Sequence, residues 1–200
     1  MKNIGKNINI AISNLKKNNI VVIPTETVYG LGANALSKKA IKKIFKLKNR
    51  PSNNPLICHT NSIEKISNFV KKIPEKAKIL GLKYWPGPLT IIFEKKNIIP
   101  DITTSNLKTV GFRIPNNKIT IKLLKKLEFP IAAPSANMFS YISPTKTEHV
   151  IQNFKNGIDY ILEDGNCTLG IESTIIGFKK NKSIIYRLGS LSIEEIEKTI

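Results

Sequence analysis

The chain switches between two hydrophobic periods along its length. In "NIAISNLKKNN", residues 9–19, apolar residues fall three to four apart among polar ones, the spacing of one helix face. "IVVIP", 20–24, is a continuous apolar run closed by proline and reads as a buried strand. "SKKAIKKIFKLK", 37–48, returns to the helical period with Ser37 as N-cap. "PLICHT" is a strand, and "SIEKISNFVKK" and "PEKAKILGLKYW" are helices, the second opened by Pro74. "LTIIFEK" and "TVGFRI" are strands, and "KITIKLLKKL" is a helix before the short strand "PIAA". After a polar loop come the segment "HVIQNF", the strands "YILEDG", "ESTIIGF" and "SIIYRLG", and a helix from Ser192. Helices between strands imply parallel pairs, and the short connections near the C-terminus imply antiparallel ones. The pattern therefore predicts one α/β domain over residues 1–200, a mixed, twisted sheet with flanking helices.

Composition adds little to the fold and more to the function. No apolar run approaches the ~18 residues of a membrane span. The first residues lack the uninterrupted apolar core of a secretory signal, so the expected location is cytoplasmic. Cys58 and Cys167 are far apart and lack metal-ligand spacing, which predicts two small hydrophobes and no metal site. In a strand, His59 and Cys58 face opposite ways, so they do not form a pair. The formal charge of +18 fits a phosphate-bearing partner, but it also fits a chain rich in lysine, asparagine and isoleucine throughout. The placement of arginine is more telling. Of 32 basic residues only Arg50, Arg113 and Arg187 are arginine.

Four segments depart from what a plain scaffold needs. "PTETVYGLGANA", 24–35, runs from a strand into Thr25, Glu26 and Thr27 and then two glycines, although it matches neither a Walker A loop nor a dinucleotide fingerprint. It reads either as a turn with satisfied hydroxyls or as a ligand loop. Lys48 and Arg50 lie where Pro51 ends a basic helix; they either complement the helix dipole or clamp polyphosphate. Arg113 interrupts the apolar strand "TVGFRIP", either paired with an internal carboxylate or reaching into a cleft. "PIAAPSANMFSYISPTKTEH" offers Ser135, Asn137, Ser140, Ser143 and Thr145 on one loop. Glu26 reads as the partner of a basic neighbour, with a magnesium ligand as the other reading.

These blocks, with "YWPGPLT", "GIESTIIGF" and "YRLG", occur in one order from about residue 20 to 190. Together they closely resemble the threonylcarbamoyl-AMP synthases, the YrdC-like domain family. The resemblance implies an open α/β twisted sheet with a basic concave face, in the family's short form. It implies that L-threonine, bicarbonate and ATP, with magnesium, give L-threonylcarbamoyl-AMP and pyrophosphate. A separate tRNA threonylcarbamoyl-transferase complex would use the product to modify the adenosine beside the anticodon, with tRNA contact as a further expectation. By the same resemblance, Thr25, His59, Arg113, Ala133 and Ser173 would line the threonine end. Lys48, Arg50, Thr109, Ser135, Asn137, Ser143 and Arg187 would hold ATP, Lys48 and Arg50 being the candidate catalytic cations. The alternatives are a non-catalytic RNA-binding module and a carbamoyl-handling enzyme with another acceptor. No Ser-His-Asp or Cys-His set of suggestive spacing is present, which suits catalysis by positioning and charge neutralisation.

Overall fold

A computed structural model describes residues 3–179 and 182–200 of the chain. The elements are β1 (Ile4–Gly5), α1 (Ile8–Lys16), β2 (Val21–Ile23), β3 (Gly30–Asn34), α2 (Lys38–Lys48), β4 (Ile57–His59), α3 (Ile63–Ser67) and α4 (Glu75–Tyr84). They continue with β5 (Leu89–Glu94), a 3-10 turn (Asp101–Thr104), β6 (Thr109–Arg113), α5 (Lys118–Lys125) and β7 (Ile131–Ala132). The last are α6 (Thr147–Asn153), β8 (Tyr160–Leu162), β9 (Thr174–Lys179), β10 (Lys182–Arg187) and α7 (Ile193–Glu197).

The strands form one sheet in the order β1-β8-β2-β3-β7-β4-β6-β5-β9-β10. It is mixed: β1–β8, β8–β2, β4–β6 and β5–β9 are parallel, and the remaining neighbours are antiparallel. Ser37 caps α2 by accepting from Ala40 N, and Asn49 in the left-handed region (φ 50°) ends it. Asn117 caps α5 in the same way, and Ser192 with Glu195 forms a capping box on α7. Each such cap stabilises its helix by about 1 kcal/mol.

Three expectations differ from the structure. The stretch 24–35 is a turn only in its first half, because Gly30–Asn34 is strand β3 between β2 and β7. Its neighbours press close enough that a Cβ on Gly32 would meet Val21 O at 2.7 Å. The helix expected over 62–72 stops at Ser67. The chain leaves the helical path there, which buries Phe69 and Val70 and lets Val70 bridge to Lys95. Pro74 is the N-cap of α4, one position before the helix.

The sheet is covered unequally, and this creates the site. In β2, Val22 faces the larger core while Val21 and Ile23 face a second core under α1 and α5. Both faces of that half of the sheet are therefore buried. In the other half, Cys58, Ile91, Phe93, Val110 and Phe112 face the larger core, where Phe112 stacks on Phe69 at 6.1 Å. Each such side chain contributes about 1.5–3 kcal/mol by leaving water. The alternate residues of β4, β5 and β6 point the opposite way, where no second apolar core forms among the described residues. That face is left as a cleft.

Candidate active site

The cleft has a volume of about 220 Å³. Its floor is the outward set of three strands: Ile57 and His59 on β4, Thr109, Gly111 and Arg113 on β6, and Thr90 and Ile92 on β5. At Gly111 a Cβ would meet Thr90 Cγ2 at 3.1 Å, so glycine keeps the floor low. The walls come from the segments around residues 27, 50–56, 133–135 and 172–173 and from the end of β10.

All three arginines line this cleft. Arg113 is 4% exposed. Its Nε donates to Gly87 O (3.1 Å), its Nη1 to Thr27 Oγ1 (2.8 Å), and its Nη2 lies 2.6 Å from Glu26 Oε1. Glu26 Oε2 accepts from Asn116 N (3.0 Å). Glu26 is thus the partner of a basic neighbour, as expected, and Arg113 meets both alternatives read from the sequence, since it pairs with an internal carboxylate and lines the cleft. Arg50 follows the left-handed end of α2. Its Nε and Nη2 donate to Asn54 O (3.0 Å) and Oδ1 (2.6 Å), Nη2 also donates to Pro55 O, and the group lies 5.8 Å from the Phe139 ring centre. Arg187 donates from Nε and Nη2 to Ser173 O (3.1 and 2.8 Å) and from Nη2 to Ser173 Oγ (3.1 Å). Ser173 Oγ is also 2.7 Å from Thr90 Oγ1.

These contacts fix the forks without using them up. Among the described residues, Nη1 of Arg50 and of Arg187 takes no protein partner. The guanidinium groups also feel one another. Burial and then Arg187 lower the pKa of Arg50 to about 10, and burial lowers those of Arg113 and Arg187. All three stay charged at neutral pH. Glu26 offsets the charge of Arg113 and Glu172 acts on Arg187, so three guanidinium groups face two carboxylates and the site keeps an excess of positive charge that favours an anionic ligand. Glu172 is the only carboxylate lining it among the described residues, and its Oε1 accepts from Ser143 Oγ.

His59 closes one end. It is 4% exposed, and its Nδ1 has no hydrogen-bond partner. Burial, then Arg113, lowers its pKa to about 3, so the imidazole is neutral across the physiological range. A neutral ring with an open Nδ1 beside a cation is suited to a polar ligand group.

Of the residues singled out in the sequence, Arg50, His59, Thr109, Arg113, Ala133, Ser135, Ser173 and Arg187 meet here. Thr25, Lys48, Asn137 and Ser143 do not line the cleft. Thr25 Oγ1 is consumed inside its own turn, accepting from Thr27 N and Val28 N and donating to Val28 O. Lys48 points inward and donates to the carbonyls of Ser135 and Asn137. Asn137 Nδ2 ties its own loop, to Met138 O and Tyr141 O. Ser143 reaches the cleft only through Glu172. The sequence reading noted Thr27 and Glu172 within their motifs without giving either a ligand role and did not single out Asn54 or Thr90; all four line the cleft. Thr27 stood in the same motif as Thr25, but only the folded turn shows that the Thr27 hydroxyl meets Arg113 at the cleft while that of Thr25 stays within the turn. Asn54 carried an available signal, an amide four residues beyond an isolated arginine.

An open α/β sheet with a compact polar cleft and three converging guanidinium groups defines a domain for small anionic ligands. The Sua5/YciO/YrdC family model, described as "Telomere recombination", matches residues 13–189, and the chain belongs to this family. It is 45% identical over 193 residues to the threonylcarbamoyl-AMP synthase of Pyrococcus abyssi, covering 96% of this chain and 57% of that protein. It is 41% identical over 187 residues to the enzyme of the same name from Bacillus subtilis, covering 93% of this chain and 54% of that protein. The crystal structure of P. abyssi Sua5 complexed with L-threonine superposes with a TM-score of 0.94 at 42% identity, covering all of this chain and 60% of that one. The chain therefore spans little more than half the length of these relatives. Among the described residues no helix is long and apolar enough to cross a membrane.

Proposed function

We propose that this chain synthesises L-threonylcarbamoyl-AMP from L-threonine, bicarbonate and ATP, releasing pyrophosphate. The observation that carries the reading is the convergence of Arg50, Arg113 and Arg187 on one cleft in a chain that uses lysine almost everywhere else. The names of the relatives and the threonine complex of the Pyrococcus protein support it.

In this reading the two ends of the cleft divide the work. Arg113, Thr27 and His59 hold the amino acid, with Arg113 facing its carboxylate as a rigid fork. Arg50, Ser135, Thr109 and Arg187 hold the nucleotide. The amine of threonine captures carbon dioxide derived from bicarbonate and loses a proton, giving a carbamate. The carbamate oxygen attacks the α-phosphorus, the bond to the β-phosphate oxygen breaks, and pyrophosphate leaves. The chain contributes alignment and cationic neutralisation, which supply most of the rate in such transfers.

Magnesium fits the donor set in a limited way. No group of three His, Cys, Asp or Glu that could hold a metal occurs among the described residues, so an all-protein cage is not formed. Magnesium is commonly held by one or two carboxylates together with substrate phosphates, and Glu172 is the cleft residue that would serve. When bound it would supply positive charge against the phosphates, with Glu172 as the residue that would hold it.

Transfer RNA contact has its own observation: Lys38, Lys39, Lys42, Lys43 and Lys46 line one groove along α2. That row supports binding to a phosphate backbone, with affinity falling steeply as salt rises. Hand-over of the product to a separate transferase complex belongs to the same reading.

The test is pyrophosphate release by the purified chain with ATP, magnesium, threonine and bicarbonate, omitting each in turn. Release should require all of them. Release without threonine, or none with the full set, overturns the proposal. Salt-sensitive tRNA binding with no pyrophosphate would favour the RNA-binding module instead.

A further inference from the structure

Lys48 is the one residue of the cationic set that the structure turns away from the cleft. Of the lysines on α2 it alone is buried, at 1% exposure. Its Nζ donates to Ser135 O at 2.6 Å and to Asn137 O, and its own carbonyl accepts from Phe139 N at 2.9 Å. The last turn of α2 is thus tied three times to the 135–139 segment. That segment places Ser135 on the cleft wall and Phe139 against Arg50, two residues beyond Lys48. It also holds the Asn137 Oδ1, which is buried without a partner.

The charge that acts on Lys48 is of its own sign, and the cleft carboxylate Glu172 acts on Arg187 instead. Arg50 acts on it from the same stretch of chain, and Arg187 stands behind Arg50 across the cleft. The residues of 135–139 carry no ionisable group. Among the described residues no carboxylate forms an ion pair with Nζ.

We propose that Lys48 is a positioning residue, a buried ammonium strut that fixes the Ser135–Asn137 backbone at the edge of the cleft without touching the ligand. The proposal rests on the nucleotide reading only for what it does to ATP. A buried ammonium satisfied by carbonyls alone has no counter-charge, and its pKa falls to about 7 through burial and Arg50. An anion seated on Arg50 supplies the missing charge and restores the proton. ATP binding should therefore take up a proton above pH 7, and its affinity should weaken as pH rises through that window. Below pH 7 the strut is already charged and uptake vanishes. A neutral amine still bonds the two carbonyls, but more weakly.

Three measurements test this on the chain as it exists. Amide exchange of unliganded Lys48→Met should show protection at Phe139 and Met138 reduced about tenfold, which a residue that merely contacts ligand would not cause. Titration calorimetry with ATP at pH 7.5, in two buffers of different ionisation enthalpy, should give uptake of up to about three quarters of a proton for wild type and none for the variant. The variant should bind ATP about tenfold more weakly and threonine within about twofold of wild type. Unchanged protection at Phe139 and Met138 overturns the strut whatever happens to ATP. If Lys48→Met does not fold, wild type titrated from pH 6 to 9 by lysine-resolved NMR decides. The Lys48 midpoint should coincide with a fall in Phe139 protection, and separate midpoints overturn the proposal. A wild type that binds no ATP, with the turn still loosened in the variant, refutes the nucleotide reading and upholds the strut.

Discussion

Removing one charge from the Glu26–Arg113 pair should cost far more than any surface ion pair. The two groups lie 2.6 Å apart, with side chains 8% and 5% exposed. Glu26→Gln leaves a guanidinium that the fold has already desolvated, with Gly87 O and Thr27 Oγ1 as its only neutral partners. Breaking a buried pair from one side costs about 3–5 kcal/mol, because the remaining charge is stranded. In a domain of this size each kcal/mol shifts Tm by about 2–4 °C, so a fall of about 6–20 °C is expected. Arg113→Met strands Glu26 and should cost a similar amount. The double variant removes both charges, so its loss should fall short of the sum of the single losses by about 2 kcal/mol or more. Urea unfolding of the four proteins at neutral pH measures this cycle. Repeating it in 1 M salt should change the coupling little, since buried pairs are poorly screened. Single losses below about 1 kcal/mol, or losses that add within about 0.5 kcal/mol, would show that this pair does not hold the turn against β6.

Two other expectations follow from the same geometry. His59 is neutral in the fold with its pKa lowered to about 3, so the unfolded chain binds the extra proton between about pH 6.5 and 3. Stability contributed by the neutral ring is therefore lost as pH falls through that window, and His59→Asn should flatten the decline of the urea midpoint between pH 7 and 4.5; an equally steep decline refutes the assignment. Gly32→Ala would set a Cβ 2.7 Å from Val21 O and 2.9 Å from Ile131 Cγ2, atoms locked in neighbouring strands. A loss of about 1–3 kcal/mol or more is expected by thermal melting, whereas a melting temperature within 1 °C of wild type would mean the strands yield.

Much of this molecule was legible locally. Ser37, Ser192 and the 3.6-residue spacing announce α2 and α7, since a cap and an apolar face depend on residues a few positions apart. The alternation in "TVGFRIP" correctly sends Phe112 to the core and Arg113 to the other side, because a strand's two faces are set by parity alone. The arginine positions marked the cleft before any fold was known, since a rigid fork is not replaced by lysine without loss.

What the sequence could not decide are the matters settled by partners far along the chain. β3 exists because β2 and β7 flank it, although its own residues, "GLGAN", have little strand preference. The Thr27 hydroxyl meets Arg113, 86 residues away, while Thr25 spends its own closing the turn, and Lys48 turns inward because carbonyls 87 and 89 residues away are waiting for it. Local pattern sets which segments form and which face is apolar. Only the closed sheet, by choosing long-range neighbours and leaving one face uncovered, decides which polar group is satisfied within the protein and which remains open to a ligand.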